Sequence, residues 1–403
     1  MYPAAEWIRA ISSGEMDHVF AKIYGPSSLT EERKKSFLEL VSRFVEDYGD
    51  SDIVLVRSPC RVNLMGMHVE HRGGFVNYVS HKREVILAAS PRDDDEVHMS
   101  DVHSDLFPDR SFSISAESSK SDAEDWIDFI ESPPVVEGVR SQRGDWSNYV
   151  KAAVLRLLML DRSGSIRGMN MTFSGNIPPS SGLSSSSAMV VASALAAMEL
   201  NGIKIPRERL VEICGEAEWY VGTRGGAGDH AAMLFCRRGM ICRLRFFPFK
   251  VYDYLPLPKG FAFVLFNSMR SARKAGDVLE AYNQTIVSYQ IALTLIKWTM
   301  EDMEFPRGVV AKTRHLRDIN PDRLHLEDIY KVLRALPERV KRDELLRRFP
   351  DRREELTRLF ETHPEPSGGY RIRGVAMFGI SECRRGELFG RILKEGRIEE
   401  MGH

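Results

Sequence analysis

Gly175-Asn176-Ile177-Pro178-Pro179-Ser180-Ser181-Gly182-Leu183-Ser184-Ser185-Ser186-Ser187-Ala188 changes character along its length. It opens as a polar turn and runs into an apolar stretch, Ala188 to Leu200, that reads as a helix. Two prolines and Gly182 interrupt regular structure, and four serines stand where the helix should begin. Serine is a good N-cap because its hydroxyl accepts from an orphan backbone N–H. A helix N-terminus with open N–H groups and a positive dipole end binds phosphate, and small side chains let the phosphate come close. A Ser-rich linker entering a buried helix fits the same residues equally well. No G-x-x-x-x-G-K-[ST] loop occurs in the chain.

Upstream, Met169 to Phe173 reads as the strand feeding this turn, and Trp146 to Lys151 opens an apolar helix through Leu160. Downstream, a helix is expected over Arg207 to Val221. It carries Glu212, Glu216 and Glu218, charges that usually form a solvated face. Glu218 stands apart because it closely precedes the turn Gly222-Thr223-Arg224-Gly225-Gly226-Ala227-Gly228-Asp229-His230. Four glycines there leave room for backbone or ligand to approach Asp229, which suits a general base. A flexible turn closed by an Asx bond explains the same residues.

Towards the N-terminus, Glu31 to Tyr48 has helical apolar spacing, with Thr30 as start and Gly49 as stop. Ile53–Val56, Arg61–Met65, Phe75–Val79 and Val85–Ala89 read as short strands. The polar loop Met67-His68-Val69-Glu70-His71-Arg72, ahead of the Gly73-Gly74 turn, is either a substrate loop or a solvated hairpin tip. Towards the C-terminus, strands are expected at Met240–Phe247 and Phe261–Phe266, and helices at 277–302 and 372–393. Residues 311–360 read as charged and mostly helical, with their basic side chains interleaved with acids as on a solvated face. His363 to Gly369 is a Pro/Gly linker.

A chain of 403 residues exceeds one ordinary core, so two domains are expected. The net charge of -1 gives no global field for nucleic acid or an anionic membrane. No apolar run is long enough to span a bilayer, and Met1 to Trp7 lacks the basic start and apolar core of a signal peptide. Five scattered cysteines without a C-x-x-C pair read as reduced thiols in a cytoplasmic protein, with no zinc site.

Three separated stretches resemble one family. Arg61-Val62-Asn63-Leu64-Met65-Gly66-Met67-His68 with Gly73-Gly74 resembles the galactokinase signature. Pro178 to Ala188 resembles the nucleotide motif of the GHMP kinases, and Cys214 to His230 the galactokinase helix and loop that carry the catalytic base. Trp146 to Lys151 and Tyr282-Asn283 fit the same pattern, in family order, from about Val56 onward. The resemblance implies a two-domain α+β GHMP kinase fold with the active site in the interdomain cleft. It divides the chain into a helical extension (1–50), an N-terminal domain (51–235) and a ferredoxin-like C-terminal domain (236–403) that reads as incomplete.

The implied activity is an ATP-dependent sugar 1-kinase. Asp229 would deprotonate the anomeric hydroxyl, with Arg61 beside it. Pro178, Gly182, Leu183, Ser184, Ser185, Ser186 and Ser187 would cradle the phosphates of ATP, with Ser186 and Glu218 on Mg²⁺. His68, Glu70, Gly226 and Tyr282 would meet the sugar. Positioning and electrostatics carry most of the catalysis in such transfers.

The chain also departs from the pattern. Galactokinases usually have Glu at Met67, Asp at Glu70 and Gln at His230. The missing Glu is the acceptor expected for the sugar's 6-hydroxyl. Galacturonokinases resemble His68, Glu70 and His71 more closely, and Arg72 with Arg270 could pair a carboxylate at C6. The expected acceptor is therefore a galactose-like sugar, with galacturonate or another C6-modified sugar as the leading variant. A third, Gly-rich family motif is not found, and Glu395 to His403 resembles the segment that precedes it, so the sequence reads as cut short. The rivals are a catalytically silent sugar sensor on the same fold and a GHMP kinase for another small alcohol. Retention of Arg61, Glu218 and Asp229 weighs against the sensor.

Overall fold

The computed structural model describes residues 1–25, 28–160, 166–266, 268, 277–360 and 363–402. Its frame is a sheet of eight strands: β1 (Tyr2–Pro3), β2 (Asp52–Met65), β3 (Phe75–Pro91), β4 (Glu96–Asp101), β5 (Arg110–Ser113), β6 (Met169–Gly175), β7 (Met240–Arg245) and β8 (Lys250–Pro256). The order is β1-β2-β3-β6-β4-β5, with β7 on β3 and β8 on β7. Pairing is antiparallel except between β4 and β6.

β2 and β3 are each one long strand where the sequence suggests two short ones. Pro59 does not end β2, because the ladder slips there: the register shifts between Pro59 and Arg61, and again between Asn63 and Met65. A bulge accommodates a residue that cannot donate, and it re-aims the side chains beside it. β3 pairs β7 through Phe75–Tyr78 and β6 through Val85–Pro91. The residues between pair with neither strand: Ser80–Arg83 are partly or fully exposed, which suits their polar side chains, and Glu84 is buried against Arg57 and Arg33.

The run Val85-Ile86-Leu87-Ala88-Ala89 is buried on both faces. Side chains alternate across a strand. Val85, Leu87 and Ala89 enter the main core with the helices Ser147–Leu158, Ser185–Leu200 and Arg207–Ala217. Ile86 and Ala88 meet Phe37, Leu40, Val41 and Phe44 of the helix Ser28–Tyr48 on the opposite face. The N-terminal segment is therefore a packing layer of this sheet.

A second core gathers Val287 to Ala376 from the helices Asp277–Asp302, Leu326–Ala335, Arg353–Phe360 and Arg373–Lys394. Among the described residues this half is helical, with one pair of two-residue strands, Arg339–Val340 and Tyr370–Arg371. Among the described residues it holds no complete ferredoxin-like layer, and β7 and β8 join the large sheet. Phe261–Phe266 is not a strand. It lies exposed and unpaired by any ladder, with Phe266 91% exposed. The helix Asp277–Asp302 matches its expected range. No helix among the described residues is long and apolar enough to cross a membrane. All five cysteines are free thiols.

Candidate active site

The β2–β3 hairpin loop, the serine turn and the glycine turn converge on one cleft of about 760 Å³. Arg61 comes from the bulge in β2 and Asp229 from the first turn of the helix Gly228–Phe235. They form a bidentate pair: Arg61 Nε donates to Asp229 Oδ1 at 2.6 Å and Nη2 to Oδ2 at 2.7 Å. Arg61 Nη1 donates to the Gly182 carbonyl at 2.9 Å, tying the pair to the serine turn. Burial opposes the Arg61 charge, but the Asp229 carboxylate outweighs it and raises the guanidinium above its ordinary pKa.

Ser184 holds the N-cap position of the Ser185–Leu200 helix but does not cap it. It is left-handed (φ 61), as are Ser180 (φ 55) and Gly182 (φ 77). Its hydroxyl turns away from the helix and donates to Asp229 Oδ2. The sequence suggests a capping serine; the structure uses it to orient the carboxylate. Ser186 Oγ donates to Glu218 Oε1 at 2.8 Å and Ser187 Oγ to Oε2 at 2.7 Å. His230 Nε2 lies 3.2 Å from the same carboxylate. Glu218 is 7% exposed, in the 3-10 turn Glu218–Val221 that ends the expected longer helix.

Gly182, Leu183, Ser184, Ser185 and Ser186 line the cleft; Pro178 and Ser187 do not, and Ser187 is buried. His68, Glu70, Gly226 and Tyr282 also line it, with the His68 and Tyr282 rings edge to face at 6.2 Å. Burial raises the Tyr282 hydroxyl well above its ordinary pKa, with Glu70 adding to the effect. Glu70 is 8% exposed. Burial works against its charge, but the His71 ring, with Nδ1 3.5 Å from its carboxylate, holds it below the usual carboxylate range.

The glycines of the 222–230 turn make room for different groups from the one expected. A Cβ on Gly226 would stand 2.4 Å from Glu70 Cγ, and one on Gly228 would stand 2.5 Å from the Tyr78 hydroxyl. At Gly226 and Gly228 that room is taken by Glu70 and Tyr78, while Gly225, Gly226 and Asp229 line the same cleft. The turn is held from outside: Trp219 Nε1 donates to the Gly225 carbonyl at 2.9 Å and Asn283 Nδ2 to that of Gly222 at 3.1 Å.

His71 and Arg72 are not brought to this cleft. They line a second cavity of about 580 Å³ on the other side of the glycine turn. Arg72 stacks on Tyr289 with its guanidinium carbon 4.1 Å from the ring centre, and donates to the carbonyl of Ile286 at 3.2 Å. Burial pulls its pKa down to about 10. The cause is local geometry: Glu70–Arg72 is one 3-10 turn, which sends adjacent side chains about 120° apart, so Glu70 borders both cavities while Arg72 lines only the second. Arg270 lies outside the described residues.

Trp146 and Tyr149, from the stretch that fits the family pattern, also line the cleft, as does Asp101, which no sequence signal marked. Burial pushes the Tyr149 hydroxyl up to about 12 and the Asp101 carboxyl up to about 6. Asp101 ends an edge-ward strand with no local pattern to mark it. No cluster of three or more His, Cys, Asp or Glu side chains suited to a metal ion occurs among the described residues.

A guanidinium–carboxylate pair beside the N-terminus of a 16-residue helix defines a site for handling an anionic group next to a proton acceptor. Comparison with known proteins gives the class. Residues 148–237 match the family model of the GHMP kinases N terminal domain, and residues 42–91 match the galactokinase galactose-binding signature. Galactokinase of Dictyostelium discoideum is 30% identical over 295 residues, covering 72% of this chain and 54% of that protein. Galactokinase of Candida maltosa is 31% identical over 212 residues, covering 51% of this chain and 89% of that protein. Among solved structures, Lactococcus lactis galactokinase complexed with galactose superposes with a TM-score of 0.58 at 19% identity, covering 90% of this chain and 75% of that one. The chain belongs to the galactokinase family of GHMP kinases. It spans about half the length of the first curated relatives it matches.

Proposed function

We propose that the chain is an ATP-dependent kinase that phosphorylates the anomeric hydroxyl of a galactose-like sugar. The observation that carries this reading is the Arg61–Asp229–Ser184 contact beside the start of the Ser185–Leu200 helix. Asp229 takes the anomeric proton as the sugar oxygen bonds to the γ-phosphorus and the bond from that phosphorus to the β,γ-bridging oxygen breaks. Both Asp229 oxygens accept from Arg61, and a carboxylate oxygen can accept more than one donor, so the sugar hydroxyl can approach with the pair intact. Arg61 then favours the developing alkoxide and the charge on the transferring group. A catalytically silent sensor has no need of such a base.

The serine turn and the dipole of its helix hold the phosphates. Mg²⁺ prefers oxygen ligands and commonly takes one or two carboxylates together with substrate phosphates. The Ser186 hydroxyl and the Glu218 carboxylate, in contact at 2.8 Å, fit that donor set. These two would hold the ion, which when bound neutralises phosphate charge. His68, Glu70, Gly226 and Tyr282 form the sugar side of the cleft, with Met67 beside them at 50% exposure.

A uronic acid acceptor draws no support from Arg72, whose guanidinium serves the second cavity. The reading adopted is an uncharged galactose-like sugar. Phosphorus NMR of ATP, Mg²⁺ and either galactose or galacturonate tests it. An anomeric sugar phosphate from galactose is expected. A clear preference for galacturonate would restore the uronate, and no product from any galactose-like sugar would contradict the kinase.

A further inference from the structure

The loop after β2 brings Met67, His68 and Glu70 to the cleft, yet its backbone is held from a helix 316 residues further along. Glu382, 5% exposed on the Arg373–Lys394 helix, accepts the N–H groups of Gly66 and Met67 on one oxygen, at 2.8 Å each. Its other oxygen accepts from Arg385 Nε at 2.8 Å. The loop is left-handed at Gly66 (φ 93) and again at His68 (φ 57). For a residue with a side chain that conformation costs about 1–3 kcal/mol and persists only where the surroundings enforce it.

The helix sits directly on the loop. A Cβ on Gly386, one turn beyond Glu382, would stand 2.3 Å from the Phe75 carbonyl oxygen and 3.3 Å from Gly66 Cα. Asn77 Nδ2 bridges the Met65 and Gly386 carbonyls at 3.0 Å each.

We propose that Glu382 is a positioning residue for the sugar. Its carboxylate fixes the Gly66 and Met67 amides, and through them the left-handed His68 and the placement of Met67 and His68 in the cleft. A carboxylate accepting two backbone N–H groups is a strong, directional clamp. The functional consequence rests on the kinase reading; the structural one does not.

The test uses Glu382→Ala, Glu382→Gln and Gly379→Ala. The last crowds the same helix against Leu316 and Tyr289, at 2.6 and 2.9 Å, without touching the loop amides. Hydrogen exchange of the 65–72 segment is read together with KM for sugar and for ATP. Glu382→Ala should speed exchange of that segment and raise the sugar KM, each about tenfold, with the ATP KM moving less than about twofold. Glu382→Gln keeps an acceptor and should recover most of the loss, leaving about a two- to threefold effect. Should Glu382→Ala not fold, that residual carries the test, and its absence overturns the proposal. Unchanged exchange in a folded Glu382→Ala overturns it too, as does a Gly379→Ala variant of equal stability loss that reproduces the sugar effect. A parent chain that turns over no sugar sinks the kinase reading alone, because the exchange measurement still decides the role of Glu382.

Discussion

Replacing Gly226 by alanine should damage sugar binding through Glu70 and leave ATP binding alone. The new Cβ would stand 2.4 Å from Glu70 Cγ, 2.6 Å from Oε1 and 2.9 Å from Cδ. An ordinary carbon–carbon contact is roughly 3.5 Å, so Glu70 must retreat by about 1 Å. Gly226 is not in the left-handed region, so alanine meets no backbone strain and the effect is steric. Glu70 is 8% exposed and has little room to give. Overpacking of this kind costs about 1–3 kcal/mol. A misplacement of about 1 Å in a binding group costs up to roughly 100-fold in rate.

The expected result is a sugar KM raised about 10- to 100-fold, with the ATP KM within about twofold. Steady-state kinetics with each substrate varied in turn reads this out. A double-mutant cycle isolates the cause: in a Glu70→Ala background the clash partner is gone, so Gly226→Ala should add little. An unchanged sugar KM in Gly226→Ala, or full additivity in the cycle, would refute the reasoning.

Three further outcomes are expected. Arg61→Lys loses the bidentate pair to Asp229, and kcat should fall about 100-fold or more with the ATP KM little changed, as measured by coupled ADP release. Glu218→Gln weakens an oxygen held by Ser186 and Ser187, and should raise the Mg²⁺ concentration needed for half-maximal rate about tenfold or more in a metal titration. Asp101 has its folded pKa pushed up to about 6 from 3.8 by burial. Its contribution to stability is therefore full below pH 3.8 and lost as pH rises through 6. Relative to the parent, Asp101→Asn should gain on the order of 2–3 kcal/mol between pH 4 and 7 in denaturant unfolding, and parallel pH curves would contradict this.

The frame was legible where period and punctuation agree. The helix Asp277–Asp302 and the strand feeding the serine turn follow from apolar spacing alone. The long strands β2 and β3 were not, because Pro59 and the polar residues 80–84 look like ends when read locally. Only the bulge and the change of partner from β7 to β6 explain them. Phe261–Phe266 failed for the opposite reason: apolar composition without a partner strand makes no ladder.

The site divides the same way. Residue types at motif positions singled out Arg61 with Asp229 and Ser186 with Glu218, and each pair is in contact. What the sequence hides is direction. One 3-10 turn sends Arg72 away from Glu70, and a left-handed N-cap turns Ser184 from helix to carboxylate. Gly226 serves Glu70 and Gly228 serves Tyr78, which lie far away in sequence. Glu382 had no motif at all; only the glycines at 379, 386 and 390 mark its helix as closely packed.

The central claim is that Asp229 is the base of a sugar 1-kinase. The most direct test compares the parent chain with Asp229→Asn, measuring kcat with ATP, Mg²⁺ and a panel of galactose, galacturonate, glucuronate, arabinose and fucose, alongside binding of ATP and sugar. Turnover of a galactose-like sugar is expected, falling by about 10²–10⁴-fold in the variant while both ligands still bind. Turnover that survives in Asp229→Asn would contradict it.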